Sequence, residues 1–106
     1  LILLHVKRIP RNLATIMKLR AHLVVSGLVQ GVGLRYFILN RAVTLGLTGF
    51  VRNQYSGEVE IEVQGDRSLI EEFMKEVKIG PRAAHVTDIK IEWLKYIESY
   101  SHFEVR

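Results

Sequence analysis

Two short segments gather residue types suited to holding an anionic group and attacking it. The first is Gly27-Leu28-Val29-Gln30-Gly31-Val32-Gly33-Leu34-Arg35. Glycines lack a Cβ, so successive backbone N–H groups in such a loop can turn inward. Where a helix follows, its first N–H groups lack internal partners and its dipole favours an anion. A strand, a glycine loop and a helix start together form a phosphate cradle. Arg35 adds a planar fork that can hold two oxygens at once. From spacing alone the segment reads equally well as a tight strand-to-helix turn ending in a solvated arginine. It lacks the Gly-Lys-Ser/Thr ending of a nucleotide-binding loop and the glycine spacing of a dinucleotide fold, so neither ligand is implied. The second segment is Gly49-Phe50-Val51-Arg52-Asn53-Gln54-Tyr55-Ser56-Gly57-Glu58-Val59. Its Asn53 is neutral and can both accept a hydrogen bond from a water and donate one to it.

Regular elements must position these residues. Leu19 to Ser26 has the composition of a strand, and Ile38, Ala42 and Leu45 give a helix from about Arg35 to Leu45, closed by Gly46. Leu47 to Asn53 is a second predicted strand, followed by a turn-rich stretch. Glu58-Val59-Glu60-Ile61-Glu62-Val63 alternates strictly, as a strand with one wet face does. A second helix is predicted over Asp66 to Lys78, with Leu69, Ile70, Phe73 and Val77 as its buried stripe and Gly80-Pro81 at its end. Asp66 is a candidate N-cap, and Ser68 with Glu71 offers an alternative capping box. Val86 to Leu94 and Phe103 to Arg106 complete the set. The order strand-helix-strand-strand-helix-strand predicts an α+β, ferredoxin-like βαββαβ sandwich. It would have a four- to five-stranded, mostly antiparallel sheet with two helices on one face. That fold hosts many functions and decides none of them.

Composition narrows the chemistry. The 106 residues fit one domain, and the absence of cysteine excludes disulfides, thiolate nucleophiles and Cys-based metal sites. A reducing cytoplasm is the expected compartment. His5, His22, His85 and His102 show no metal-ligand spacing, so no metal is expected and nothing supports His22 as a catalytic base. No apolar run approaches the roughly 18–20 residues that cross a bilayer, and no membrane partner is expected. Lys7, Arg8 and Arg11 lie in an acid-free stretch; setting them aside leaves +1 of the chain's +4. Residues 1–18 are therefore predicted to be an extension, 19–106 the domain, and Met17 the start of the functional part.

Together the two glycine-bearing segments resemble the two signatures of the acylphosphatase family. In the first, Gly27, Val29, Gln30, Gly31, Val32 and Arg35 match, and Leu34 stands where the family usually has an aromatic residue. The resemblance runs from about Leu19 to Arg106. It implies a phosphate-binding loop of Gln30, Gly31, Val32, Gly33, Leu34 and Arg35, with Arg35 and Asn53 as the catalytic pair. Arg35 would hold the phosphoryl group and Asn53 would orient the attacking water. A small acyl phosphate would be the substrate, phosphate or sulfate a site ligand, and no cofactor would be needed. Such chemistry suits these residues, because the leaving carboxylate is a stable anion that requires no strong acid. What remains is positioning and charge stabilisation.

Two rival readings use the same elements. Ferredoxin-like sheets also bind RNA through exposed aromatics, but outward-facing Glu58, Glu60 and Glu62 would repel a phosphate backbone, so no nucleic acid is expected. An acyl-phosphate-binding domain with little turnover is the other. Several neighbours have plainer roles. Arg52 should point to the opposite face from Asn53 as a solvated charge, Arg82 should be a surface residue, Tyr36 and Phe37 should pack at core or rim, and Trp93, Tyr96 and Tyr100 should cover the sheet or its closing turn.

Overall fold

The computed structural model describes residues 17–106, so the predictions for residues 1–16, His5 included, lie outside the described residues. Seven elements follow in order: β1 (Lys18–Leu28), α1 (Leu34–Thr44), β2 (Thr48–Asn53), β3 (Val59–Asp66), α2 (Arg67–Ile79), β4 (His85–Lys95) and β5 (Phe103–Val105). They form one five-stranded sheet in the order β4-β1-β3-β2-β5. Every neighbouring pair is antiparallel except β2 with β5, which is parallel. This is the ferredoxin-like α+β architecture, with every boundary within three residues of the expected one.

Strand alternation decides which face the helices cover. In β1, Ala21, Leu23 and Val25 are fully buried while Arg20, His22 and Val24, which alternate with them, are half-buried. Ile61 and Val63 of β3 and Val51 of β2 continue the same buried face. Onto it α1 lowers Leu34, Ile38 and Ala42, and α2 lowers Ile70, Phe73 and Val77. Phe73 meets Phe103 of β5 with ring centroids 6.4 Å apart, and Arg41 bridges the helices to Glu76 at 3.2 Å. Gly49 illustrates how closely backbones approach here. Its φ is 138°, and a Cβ there would collide with the Glu62 carbonyl oxygen.

Two local expectations are replaced by longer-range contacts. Asp66 occupies the N-cap position of α2 without a side-chain cap bond, and the Arg67 N–H donates instead to the Met17 carbonyl at 3.0 Å. The Ser68–Glu71 capping box does not form, because the helix starts at Arg67 and Ser68 lies inside its first turn; Glu71 pairs with Arg67. The wet face also differs from three free carboxylates. Glu60 binds His22 at 2.7 Å and also Arg52; Glu62 binds Arg20 at 3.0 Å and the Tyr100 hydroxyl at 2.7 Å. Arg52 does lie on this face, as its pairing with Glu60 across from β3 requires, but it is ion-paired rather than simply solvated. Trp93 and Tyr96 stack under Arg67 and Lys18, respectively. No helix among the described residues is long and apolar enough to cross a membrane.

Candidate active site

The loop from β1 to α1 turns on two left-handed glycines, Gly31 at φ 73° and Gly33 at φ 80°. Gly33 is the N-cap of α1 and, lacking a side chain, leaves the helix start uncapped; the first turn holds no acidic residue. The first amide that bonds back within this turn is that of Phe37, which donates to the Gly33 carbonyl at 3.2 Å. The N–H groups just before it therefore face the loop without an intrahelical acceptor. Leu34 is 1% exposed and points into the core, so only its backbone belongs to the loop surface. An aliphatic residue serves at that position because what it does is pack. Val32 is likewise packed against the core.

Gln30 and Asn53 meet in one cleft. A cavity of about 830 Å³ is lined by Gln30, Arg52, Asn53, Gln54, Tyr55, Ser56 and Glu58. Asn53 stands opposite Val59 in the β2–β3 register. Alternation puts it on the helix-covered side with Val51, at the end where the glycine loop lies. Gln30 fastens the two segments together. Its Nε2 donates to the Gln54 carbonyl at 2.7 Å and to the Glu58 carbonyl at 2.9 Å. Those carbonyls flank the turn after Asn53, itself closed by the Gln54 N–H donating to the Glu58 carbonyl at 2.8 Å. The side chain of Gln30 thus faces the turn, and only its backbone is available to an anion beside it.

Arg35 stands in the first turn of α1, half-buried, and its Nη1 donates to the Arg106 carbonyl at 3.2 Å. The Arg106 N–H in turn donates to the Val51 carbonyl at 2.8 Å. The guanidinium is therefore tied, through one residue, to the strand that ends in Asn53. Arg106 stacks over Phe50 at 4.2 Å and pairs with Glu104. Tyr36 next to Arg35 is well exposed, and Tyr55 projects fully from the turn beyond Asn53. Glu58 accepts from the Ser26 hydroxyl at 2.9 Å and the Ser56 hydroxyl at 3.0 Å. These bonds, Ser26 first and then Ser56, hold its carboxyl below the usual range, with help from Lys90. His22 lies on the open face against Glu60, and among the described residues no group of three His, Asp or Glu side chains gathers as metal ligands.

Sequence reasoning missed Arg106, Tyr55, Ser56 and Glu58. The last three follow Asn53 directly and were within reach of a turn argument. Arg106 was not, since its place depends on β5 lying beside β2.

Comparisons with known proteins show the family and the fold. The sequence model of the family described as acylphosphatase matches residues 21–105. An acylphosphatase of Caldanaerobacter subterraneus subsp. tengcongensis is 42% identical over 89 residues, covering 84% of this chain and 99% of that protein. The crystal structure of acylphosphatase from Bacillus subtilis superposes with a TM-score of 0.81 at 35% identity, covering 83% of this chain and 98% of that one. Full-length HypF in its phosphate- and nucleotide-bound form is also similar, at 32% identity and a TM-score of 0.78, over 85% of this chain but 12% of that much longer one. With both glycine-bearing segments folded against one another and the likeness running through every element from β1 to β5, the chain belongs to the acylphosphatase family.

Proposed function

We propose that the protein hydrolyses small acyl phosphates to a carboxylate and inorganic phosphate. A water oriented by Asn53 attacks a phosphoryl group held by Arg35 and the backbone of the Gln30–Arg35 loop. The observation that carries this reading is the Gln30 clamp, which binds the phosphate-type loop to the turn after Asn53. It gives the two segments one fixed relation, as in-line attack needs. The leaving carboxylate departs as a stable anion. The protein's own task is to hold the phosphoryl oxygens while charge spreads across them, which Arg35 and unpaired helix-start amides suit. Asn53 supplies an acceptor and donors for a neutral water without itself changing charge. Phosphate and sulfate fit the same cradle as competitive ligands, and residues 19–106 suffice as the working domain.

Separating the two roles tests the assignment. Arg35→Ala and Asn53→Ala should each lower turnover by about 10² to 10³, the scale for losing one preorganised donor. Competitive inhibition by inorganic phosphate should vanish in the first variant and persist in the second. Equal loss of phosphate affinity in both would show that the roles are wrongly divided. A second reading is a domain that binds acyl phosphates with little turnover; the similar part of HypF belongs to a structure in a phosphate- and nucleotide-bound form. Phosphate binding without hydrolysis in the unaltered chain would select that reading.

A further inference from the structure

The cleft beside Asn53 is far larger than a phosphoryl group. Its volume of about 830 Å³ falls among sites that take whole organic ligands, roughly 300–1,000 Å³. The proposed chemistry occupies one end of it, at Asn53 and the glycine loop. What remains must receive the acyl group, so its lining decides which acyl groups fit.

Strand alternation gives that lining a direction. Asn53 and Val59 stand opposite one another, and Val59 is fully buried on the helix-covered face. Glu58, one residue earlier, emerges on the other face, where it meets the Ser26 hydroxyl of β1. Asn53 and Glu58 both line the cleft, which therefore wraps the end of the β2–β3 hairpin from one face to the other. With the phosphoryl group at Asn53, an acyl group that follows the cleft runs toward Glu58.

Two charged side chains line the cleft, and one of them is already neutralised. Arg52 is ion-paired with Glu60. Glu58 has no cation bonded to it among the described residues. Its two bonds come from neutral hydroxyls, Ser26 to one carboxylate oxygen at 2.9 Å and Ser56 to the other at 3.0 Å. These hydroxyls fix the carboxylate in place and favour its ionised form without cancelling its charge. Lys90 stands on β4, beyond β1, and acts on it only through space. Each carboxylate oxygen keeps room to accept a further hydrogen bond. Tyr55, fully exposed in the same lining, adds a ring face that also attracts cations. One end of the cleft thus suits a phosphate and the other a positive charge.

We propose that the acyl group of the preferred substrate carries an ammonium, as in an acyl phosphate of an amino acid, and that Glu58 binds it. This rests on the hydrolysis proposed above and names the class of substrate for it.

The test compares kcat/KM for 4-(aminomethyl)benzoyl phosphate and 4-carboxybenzoyl phosphate, with benzoyl phosphate as the uncharged reference. It is run on the unaltered chain and on Glu58→Gln, which keeps the side chain's shape and removes its charge. The unaltered chain should favour the ammonium-bearing substrate over the carboxylate-bearing one by at least about tenfold. Glu58→Gln should lower that ratio at least about fivefold. Because the ratio is taken within each protein, any change in the amount of folded enzyme cancels. Turnover of all three substrates without this preference would overturn the proposal and leave the hydrolysis standing. A preference that Glu58→Gln leaves intact would also overturn it. Turnover of none of them by the unaltered chain would overturn the hydrolysis and this proposal together.

Discussion

Gln30 uses both protons of its amide on the carbonyls of Gln54 and Glu58, so its side chain acts on the turn and not on a substrate. Gln30→Glu preserves the shape, removes both donors and sets a carboxylate against two carbonyl oxygens. Losing the clamp lets the Asn53 turn drift from the loop, and small misplacements of this kind cost about 10²-fold in rate. We predict that kcat for Gln30→Glu falls by about that factor while inhibition by inorganic phosphate changes little, because the loop amides and Arg35 stay in place. Steady-state kinetics with phosphate as inhibitor checks it. A loss confined to phosphate affinity would instead make Gln30 a direct ligand. Leu34 belongs to the same scale. Its burial explains how an aliphatic residue replaces an aromatic one without touching the cleft.

Among the elements, the open face of the sheet behaves as a set of cross-strand pairs. Tyr100 is an example: burial first, and then its bond to Glu62, push the phenol up to about 12 from an ordinary 10.0. A raised pKa means that the fold favours the protonated form. Its contribution is complete below pH 10 and is lost as pH rises through about 12. Thermal melts should therefore show a steeper alkaline loss for the unaltered chain than for Tyr100→Phe across that window. Identical alkaline slopes would contradict the assignment. These elements also show what the sequence made legible. The alternation of Val59, Ile61 and Val63 and the stripe of Ile70, Phe73 and Val77 are local patterns, and both faces were correctly read from them. The glycine loop and Asn53 were equally visible, since each lies within a continuous segment. At the start of α2, Asp66 holds the N-cap position without a side-chain bond, and the Arg67 N–H goes to the distant Met17 carbonyl. The pairing of Glu60 and Glu62 depends on register between strands, and Arg35's acceptor on Arg106 depends on strand order. Neither is written in neighbouring residues.

At the scale of the whole molecule, one sheet carries the candidate site at the end of β2 and, three strands away, the edge strand β4. The described residues that line the cleft belong to the loop before α1, the end of β2 and the β2–β3 turn. Removing residues 1–16 should thus leave turnover within about twofold and the melting temperature within a few degrees, the shift expected for less than about 1 kcal/mol. A calorimetric scan and a rate assay on that shortened chain would check both, and a collapse of either would assign the extension a part in the fold. The central claim is that a water held by Asn53 attacks a phosphoryl group held by the loop and Arg35. It is tested most directly by following hydrolysis of benzoyl phosphate with EDTA present, for the unaltered chain and Asn53→Ala side by side. The account predicts rapid turnover by the unaltered chain and a rate about 10² to 10³ lower for the variant. Hydrolysis at the same rate by both, or by neither, would contradict it.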